Sequence, residues 1–145
     1  MPLFDTPVSP HLLWPSDAPA PRRRAVRLLA RFAECFPDVK YDMDLGVELA
    51  NAQAFIDSDG KHVRLYGGLV LHRKVGTAGL AVALAHETGH HLGGPPFLKS
   101  FRWLSSEERA TEWAATVGLQ KVFGAGRGAG VMRSGLRELK LAGIA

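Results

Sequence analysis

Eight consecutive residues without a polar side chain, Ala78 to Ala85, lead straight into His86-Glu87-Thr88-Gly89-His90, and Gly93-Gly94-Pro95-Pro96 follows at once. A run this short cannot cross a bilayer, which takes about 20 apolar residues. Being apolar on every side, it marks a helix buried inside a protein core. Glycine favours the closing turn and proline cannot continue the helix, so the segment stops there. With Thr77 as the expected N-cap, the helix covers about residues 78–92. Two histidines and a glutamate therefore ride on the last turns of the most buried element, and the rest of the chain has to fold around them.

That pattern, H-E-x-x-H, carries a specific chemistry. Positions i and i+4 of a helix lie one above the other, so His86 and His90 can reach a single metal ion. Neutral imidazoles suit zinc, which lowers the pKa of a bound water to about 7. Glu87 sits one step round the helix, within reach of such a water as a general base and placed to return the proton to a leaving amine. One Zn²⁺ per chain is the expected cofactor.

A catalytic zinc takes three protein ligands, and the sequence narrows the third. An H-E-x-x-H-x-x-G-x-x-H site would need histidine at position 96; Gly93 matches, but position 96 is Pro96. No histidine follows His91 and no aspartate follows Asp59, so a downstream ligand must be Glu107, Glu108, Glu112 or Glu138. A helix is expected over about 106–123, ending at Gly124. Within it Glu107 lines up with Ala110, Ala114 and Val117, a small-residue face suited to packing against the metal helix. Ser105 and Glu108 have capping-box spacing, which would engage Glu108 at the helix start, and Glu112 shares its outward face. Glu107 is the expected ligand and Glu108 the alternative. His91 points away from His90, towards a surface or supporting role. His62 and His72 read as ordinary strand and loop residues, and His11 lies in an extended arm.

The flanks complete the outline. Proline crowds residues 1–21, which read as an arm pinned by Trp14, followed by a single domain over 22–145. Apolar spacing predicts a helix over 22–36, and Ala54-Phe55-Ile56 and Val63–Tyr66 around Asp57-Ser58-Asp59-Gly60 predict a hairpin. A loop from Gly93 to Trp103 carries Phe97, Phe101 and Trp103, read as core residues sooner than as an apolar wall beside the cleft. The Gly-rich stretch 124–130 reads as a connection to a short helix over 131–141. The sequence is 145 residues long, 46% hydrophobic and 22% charged, which fits one globular domain. A single cysteine, Cys35, excludes an internal disulfide framework. The N-terminus lacks the pattern of a secretory signal, so the cytoplasm is expected. The net charge of +4 falls wholly in residues 92–145, with eight Lys/Arg against four Glu. Arg22, Arg23, Arg24 and Arg27 read as a solvated helix end, without the aromatic interleaving of a nucleic-acid face.

Taken in order, the hairpin, Leu84-Ala-His-Glu-x-Gly-His90 and Glu107-x-x-Ala-Thr-Glu-Trp-Ala114 resemble the gluzincin-type zinc metallopeptidases related to CAAX prenyl proteases, above all their small soluble minigluzincin relatives. The likeness covers about residues 50–122 and includes Asn51-Ala52 with Ala54-Phe55. It implies an α+β zincin-like fold, in which a small antiparallel or mixed sheet accompanies an active-site helix and a Glu-ligand helix. Glu107 becomes the third zinc ligand. Thr111 replaces the usual aspartate, which implies a weakened or missing contact to a zinc-bound histidine. In the absence of a downstream histidine, Arg133 or Arg137 would have to stabilise an oxyanion. ImmA/IrrE-type domains are the second resemblance, though no helix-turn-helix accompanies the site.

The implied activity is hydrolysis of peptide bonds in a peptide or protein substrate. The alternative is a zinc-binding interaction or regulatory module of the same fold without peptidase activity.

Overall fold

The chain folds as an α+β domain in a computed structural model that describes residues 7–144. The first six residues of the expected arm, and Ala145, lie outside the described residues. Helix α1 spans Pro19–Cys35, with Pro21, Ala25, Leu28 and Phe32 buried. It starts three residues ahead of the expected position because proline is pre-set for a first helical turn. The arm before it is held mainly by backbone contacts. Trp14 N–H donates to the Leu71 carbonyl at 2.8 Å and Arg73 N–H to the Leu12 carbonyl at 2.8 Å. The Trp14 ring remains partly exposed beneath the Arg73 guanidinium, 4.0 Å from its centroid.

After Pro37 the chain enters strand β1, Val39–Asp44, an element absent from the expected outline. Its signal is a period-two alternation in which Val39, Tyr41 and Met43 join the core while Lys40 and Asp44 stay exposed. Strands β2 (Ala52–Asp57) and β3 (Gly60–Tyr66) form the expected hairpin. The sheet order is β1-β3-β2, with β1 parallel and β2 antiparallel to β3, so the sheet is mixed and β2 is an edge.

A single-turn helix α2 (Gly67–Val70) leads to the central helix α3, Thr77–Leu92, which is buried almost throughout. Its N-cap is Gly76 instead of Thr77. The capping acceptor comes from elsewhere in the chain: the Glu138 carboxylate takes the N–H groups of Gly76 and Gly79 at 2.7 and 2.9 Å. The expected helix over 106–123 is present in three pieces: α4 (Glu107–Trp113), a π turn (Ala114–Gly118) and α5 (Leu119–Phe123).

Helix α6 then runs over Ala125–Leu141, so most of the Gly-rich stretch is helical and does not form a loop. Packing explains the glycine at 128, where a Cβ would stand 2.9 Å from the Gln120 backbone nitrogen. The core gathers Leu80, Leu84, Phe32, Val63, Leu65, Leu119 and Leu139 around α3. Among the described residues, no helix is long and apolar enough to cross a membrane.

Candidate metal centre

Three elements build the centre. The last turns of α3 supply His86, Glu87 and His90, the first residue of α4 supplies Glu107, and the β2 edge closes one side. The approach of α4 to α3 depends on Gly89, the fourth residue of the motif. A Cβ there would lie 2.6 Å from the Ala110 carbonyl oxygen, so only glycine allows this distance. Ala110 and Ala114 are fully buried, as the small-residue face requires. Val117, expected on the same face, is exposed. The π turn adds a residue per turn, which rotates Val117 outward and puts Gly118 against the Trp113 ring.

His86, His90 and Glu107 bring one donor atom each to within 4.8 Å of one another. Glu107 Oε2 lies 2.8 Å from His86 Nε2 and 3.3 Å from His90 Nε2. The opposite nitrogens are anchored. His90 Nδ1 donates to the Ser105 carbonyl at 2.6 Å, and a carbonyl can only accept, so this ring carries its proton on Nδ1. His86 Nδ1 stands 3.1 Å from Thr111 Oγ1. With both Nδ1 atoms engaged, the two Nε2 atoms converge on the Glu107 oxygen. Two imidazoles and a carboxylate at this spacing fit a divalent metal ion.

Further hydrogen bonds strap the end of α3 to the start of α4. Ser105 N–H donates to the His90 carbonyl at 2.7 Å, and Ser105 Oγ to the Gly94 carbonyl at 2.7 Å. Arg109 Nε donates to the Gly93 carbonyl at 2.6 Å, a cation at a helix C-terminus. The cap of α4 is Ser106, whose side chain accepts from Arg109 N–H, and not the expected Ser105 with Glu108. Glu108 is exposed, and Glu112 pairs with Arg109 at 2.9 Å on the surface. Neither joins the centre.

Electrostatics separate the two carboxylates. Glu107 is partly buried, which disfavours its charge, yet hydrogen bonds from His86 and His90 outweigh this and hold its carboxyl well below the usual range. Glu87 is buried, and that burial, reinforced by the negative charge of Glu107, raises its pKa to about 7. His90 and the Ala54 N–H, which donates to the Glu87 carboxylate, oppose the rise. Burial lowers the pKa of His86 and keeps it neutral, as ligation needs. Burial also works against charge on His90, but its hydrogen bond to Glu107 and the nearby Glu87 raise its pKa on balance.

A cleft of about 130 Å³ opens here, lined by Ala52, Gln53, Ala54, Glu87, His90 and Glu107 with Leu98, Phe101 and Leu104. Phe97, Phe101 and Trp103 are exposed, so the loop aromatics are not core residues. His91 is buried, contrary to a surface reading. Its Nε2 donates to the His62 carbonyl at 2.7 Å, tying α3 to β3 away from the metal donors. His62 stacks on Phe55 at 4.8 Å, and His72 Nδ1 accepts from Lys74 N–H. Arg133 and Arg137 are exposed on α6 and do not line this cleft.

Where Thr111 in place of aspartate implies a weakened or missing contact, the hydroxyl makes one. Its place one turn after Glu107 is the signal that pointed there. The Ser105 carbonyl and Ala54 N–H are backbone groups, which residue identity cannot announce. No family model, curated protein or solved structure matches the chain.

Proposed function

We propose that the chain is a zinc-dependent peptidase of the gluzincin type. One observation carries the reading: a buried carboxylate with a pKa near neutrality, Glu87, stands beside a His-His-Glu donor set at an open sheet edge. A purely structural metal site has no use for such a group. Zinc, when held by His86, His90 and Glu107, supplies Lewis-acid polarisation of a carbonyl and of water. Glu87 then takes the proton of the attacking water and passes it to the leaving amine nitrogen.

The Ser105 carbonyl and Thr111 hydroxyl keep both imidazoles aimed throughout. The substrate lies extended and antiparallel along β2, whose outer edge pairs with no other strand among the described residues. Leu98, Phe101 and Leu104 wall the cleft and accept an apolar side chain next to the cleaved bond. Arg133 and Arg137 take no part in this reading, since both face solvent on α6.

Metal analysis of purified protein, followed by a peptide-library digestion, tests the proposal. Stoichiometric zinc and cleavage that disappears in Glu87→Gln, with zinc retained, are expected. Zinc bound with no cleavage of any peptide would leave a metal-binding interaction module instead.

A further inference from the structure

A second cavity lies apart from the metal cleft. About 700 Å³ opens between α1 and the start of α3, lined by Arg23, Arg24, Arg27 and Arg31 with Leu28 and Thr77. Its size lies within the roughly 300–1,000 Å³ of small-ligand sites. The four arginines follow helical spacing and form one stripe beside the buried stripe of α1. Like charges three and four residues apart on one helix repel, and cations in its first half oppose the helix dipole. The usual remedy is a carboxylate nearby, but among the described residues no carboxylate lies within ion-pair distance of any of the four.

Two of the guanidinium groups are fixed in place. Arg24 Nη2 donates to the Val75 carbonyl at 3.2 Å, and Arg31 Nη2 to the Val122 carbonyl at 2.6 Å while lying 4.6 Å from the Phe123 ring centroid. Arg24 also holds a buried Nε–H with no acceptor among the described residues. Arg23, just before the first anchor, and Arg27, between the two, are exposed and available. The result is a concave set of donors, two held in place and two exposed, with unbalanced positive charge.

The geometry points to a binding site for a small oligophosphate, an anion of two or three linked phosphoryl groups. Guanidinium forks match phosphate oxygens in pairs. The stripe from Arg23 to Arg31 extends about 12 Å along the axis, longer than one phosphate but suited to a short chain of them. The concave shape favours a small molecule over a nucleic-acid strand, which tracks an open groove. The site lies apart from the metal donors and does not depend on the peptidase reading.

Calorimetric titration at low salt with inorganic tripolyphosphate, ATP and sulfate tests it. Tripolyphosphate or ATP is expected to bind one per chain, more tightly than sulfate. Binding of ATP well above tripolyphosphate assigns a nucleotide, and the reverse assigns an inorganic chain. The R23Q/R27Q double variant should lose about tenfold or more in affinity, with an unchanged far-ultraviolet circular dichroism spectrum. Arg27→Glu should weaken binding further than Arg27→Gln, and His86→Ala should leave it intact. The site is rejected by absence of binding, by equal affinity in R23Q/R27Q, or by loss in His86→Ala, which would move the anion to the metal centre. Tighter binding of a DNA duplex than of tripolyphosphate would also reject it.

Discussion

The two ends of helix α3 are each met by a glutamate from the downstream part of the chain, and the two glutamates do different work. At the N-terminal end Glu138 accepts two backbone N–H groups, from Gly76 and Gly79. At the C-terminal end Glu107 faces two side-chain nitrogens, from His86 and His90. The first fills helix-terminal donors that any sequence would leave open. The second faces the Nε2 atoms of two imidazoles whose Nδ1 atoms are held from behind. A carboxylate against backbone thus fixes the helix, and a carboxylate against anchored imidazoles makes a ligand set. Substitutions at the two ends should separate binding from stability.

The largest effect belongs to the C-terminal end. Glu107→Ala should lower affinity for zinc by more than the ~100-fold that loss of an outer partner costs, measured by competition with a chromophoric chelator. Glu108→Ala should leave affinity unchanged, as an exposed residue outside the donor set. Equal losses in both variants would break the distinction between them.

Glu87 at the same end should reveal itself through pH in the metal-stripped protein. Its folded pKa is about 7 against an ordinary 4.5, so the folded state holds this proton more strongly than the unfolded state. The resulting stability is fully present below about pH 4.5 and disappears as pH rises through 7. The loss amounts to roughly 3 kcal/mol at completion. Urea unfolding across pH 4–9 in the presence of chelator should show this slope in the wild type and not in Glu87→Gln. Parallel profiles would mean that Glu87 is not buried as an acid.

Much of this end was legible in the sequence because its signals are local. The apolar run, the His-x-x-x-His spacing and the Gly-Gly-Pro-Pro stop are contained in one helix, and the absence of later His or Asp reduced the third ligand to four glutamates. The hairpin was legible for the same reason. What stayed hidden depends on contacts distant in sequence. Glu138 caps a helix some 60 residues earlier, so nothing near Gly76 advertises it. The helical start of α6 depends on Gly128 meeting the Gln120 backbone, which composition reads as a flexible linker. The π turn shifts Val117 and Gly118 by one position, a rotation that no ideal helical wheel contains. Strand β1 did carry an alternating pattern, but its partner β3 lies beyond the intervening β2, and short alternation alone is a weak sign.

The N-terminal end should respond in stability and not in binding. Glu138→Ala leaves the Gly76 and Gly79 N–H groups without their acceptor, at a cost of about 1–2 kcal/mol. Denaturant unfolding should show that loss, while zinc affinity stays within twofold because the ligand set lies more than a turn away. A large fall in zinc affinity would mean that the two ends are coupled through α3.

The smallest effect tests whether a neutral hydroxyl can do the work of a carboxylate behind a ligand. Thr111→Val keeps the side-chain shape and removes only the Oγ1 contact to His86 Nδ1. His86 would remain buried and neutral but free to rotate or to place its proton on the ligating nitrogen. Zinc affinity should fall about tenfold, the lower end of the range for outer partners, because a hydroxyl raises imidazole basicity less than a carboxylate does. Thr111→Asp should move affinity the other way, provided the carboxylate reaches His86 Nδ1. Since His90 is oriented by the Ser105 carbonyl, neither substitution should alter that half of the site. If Thr111→Val binds zinc as tightly as the wild type, Glu107 and the packing of Gly89 on Ala110 alone are enough to aim His86.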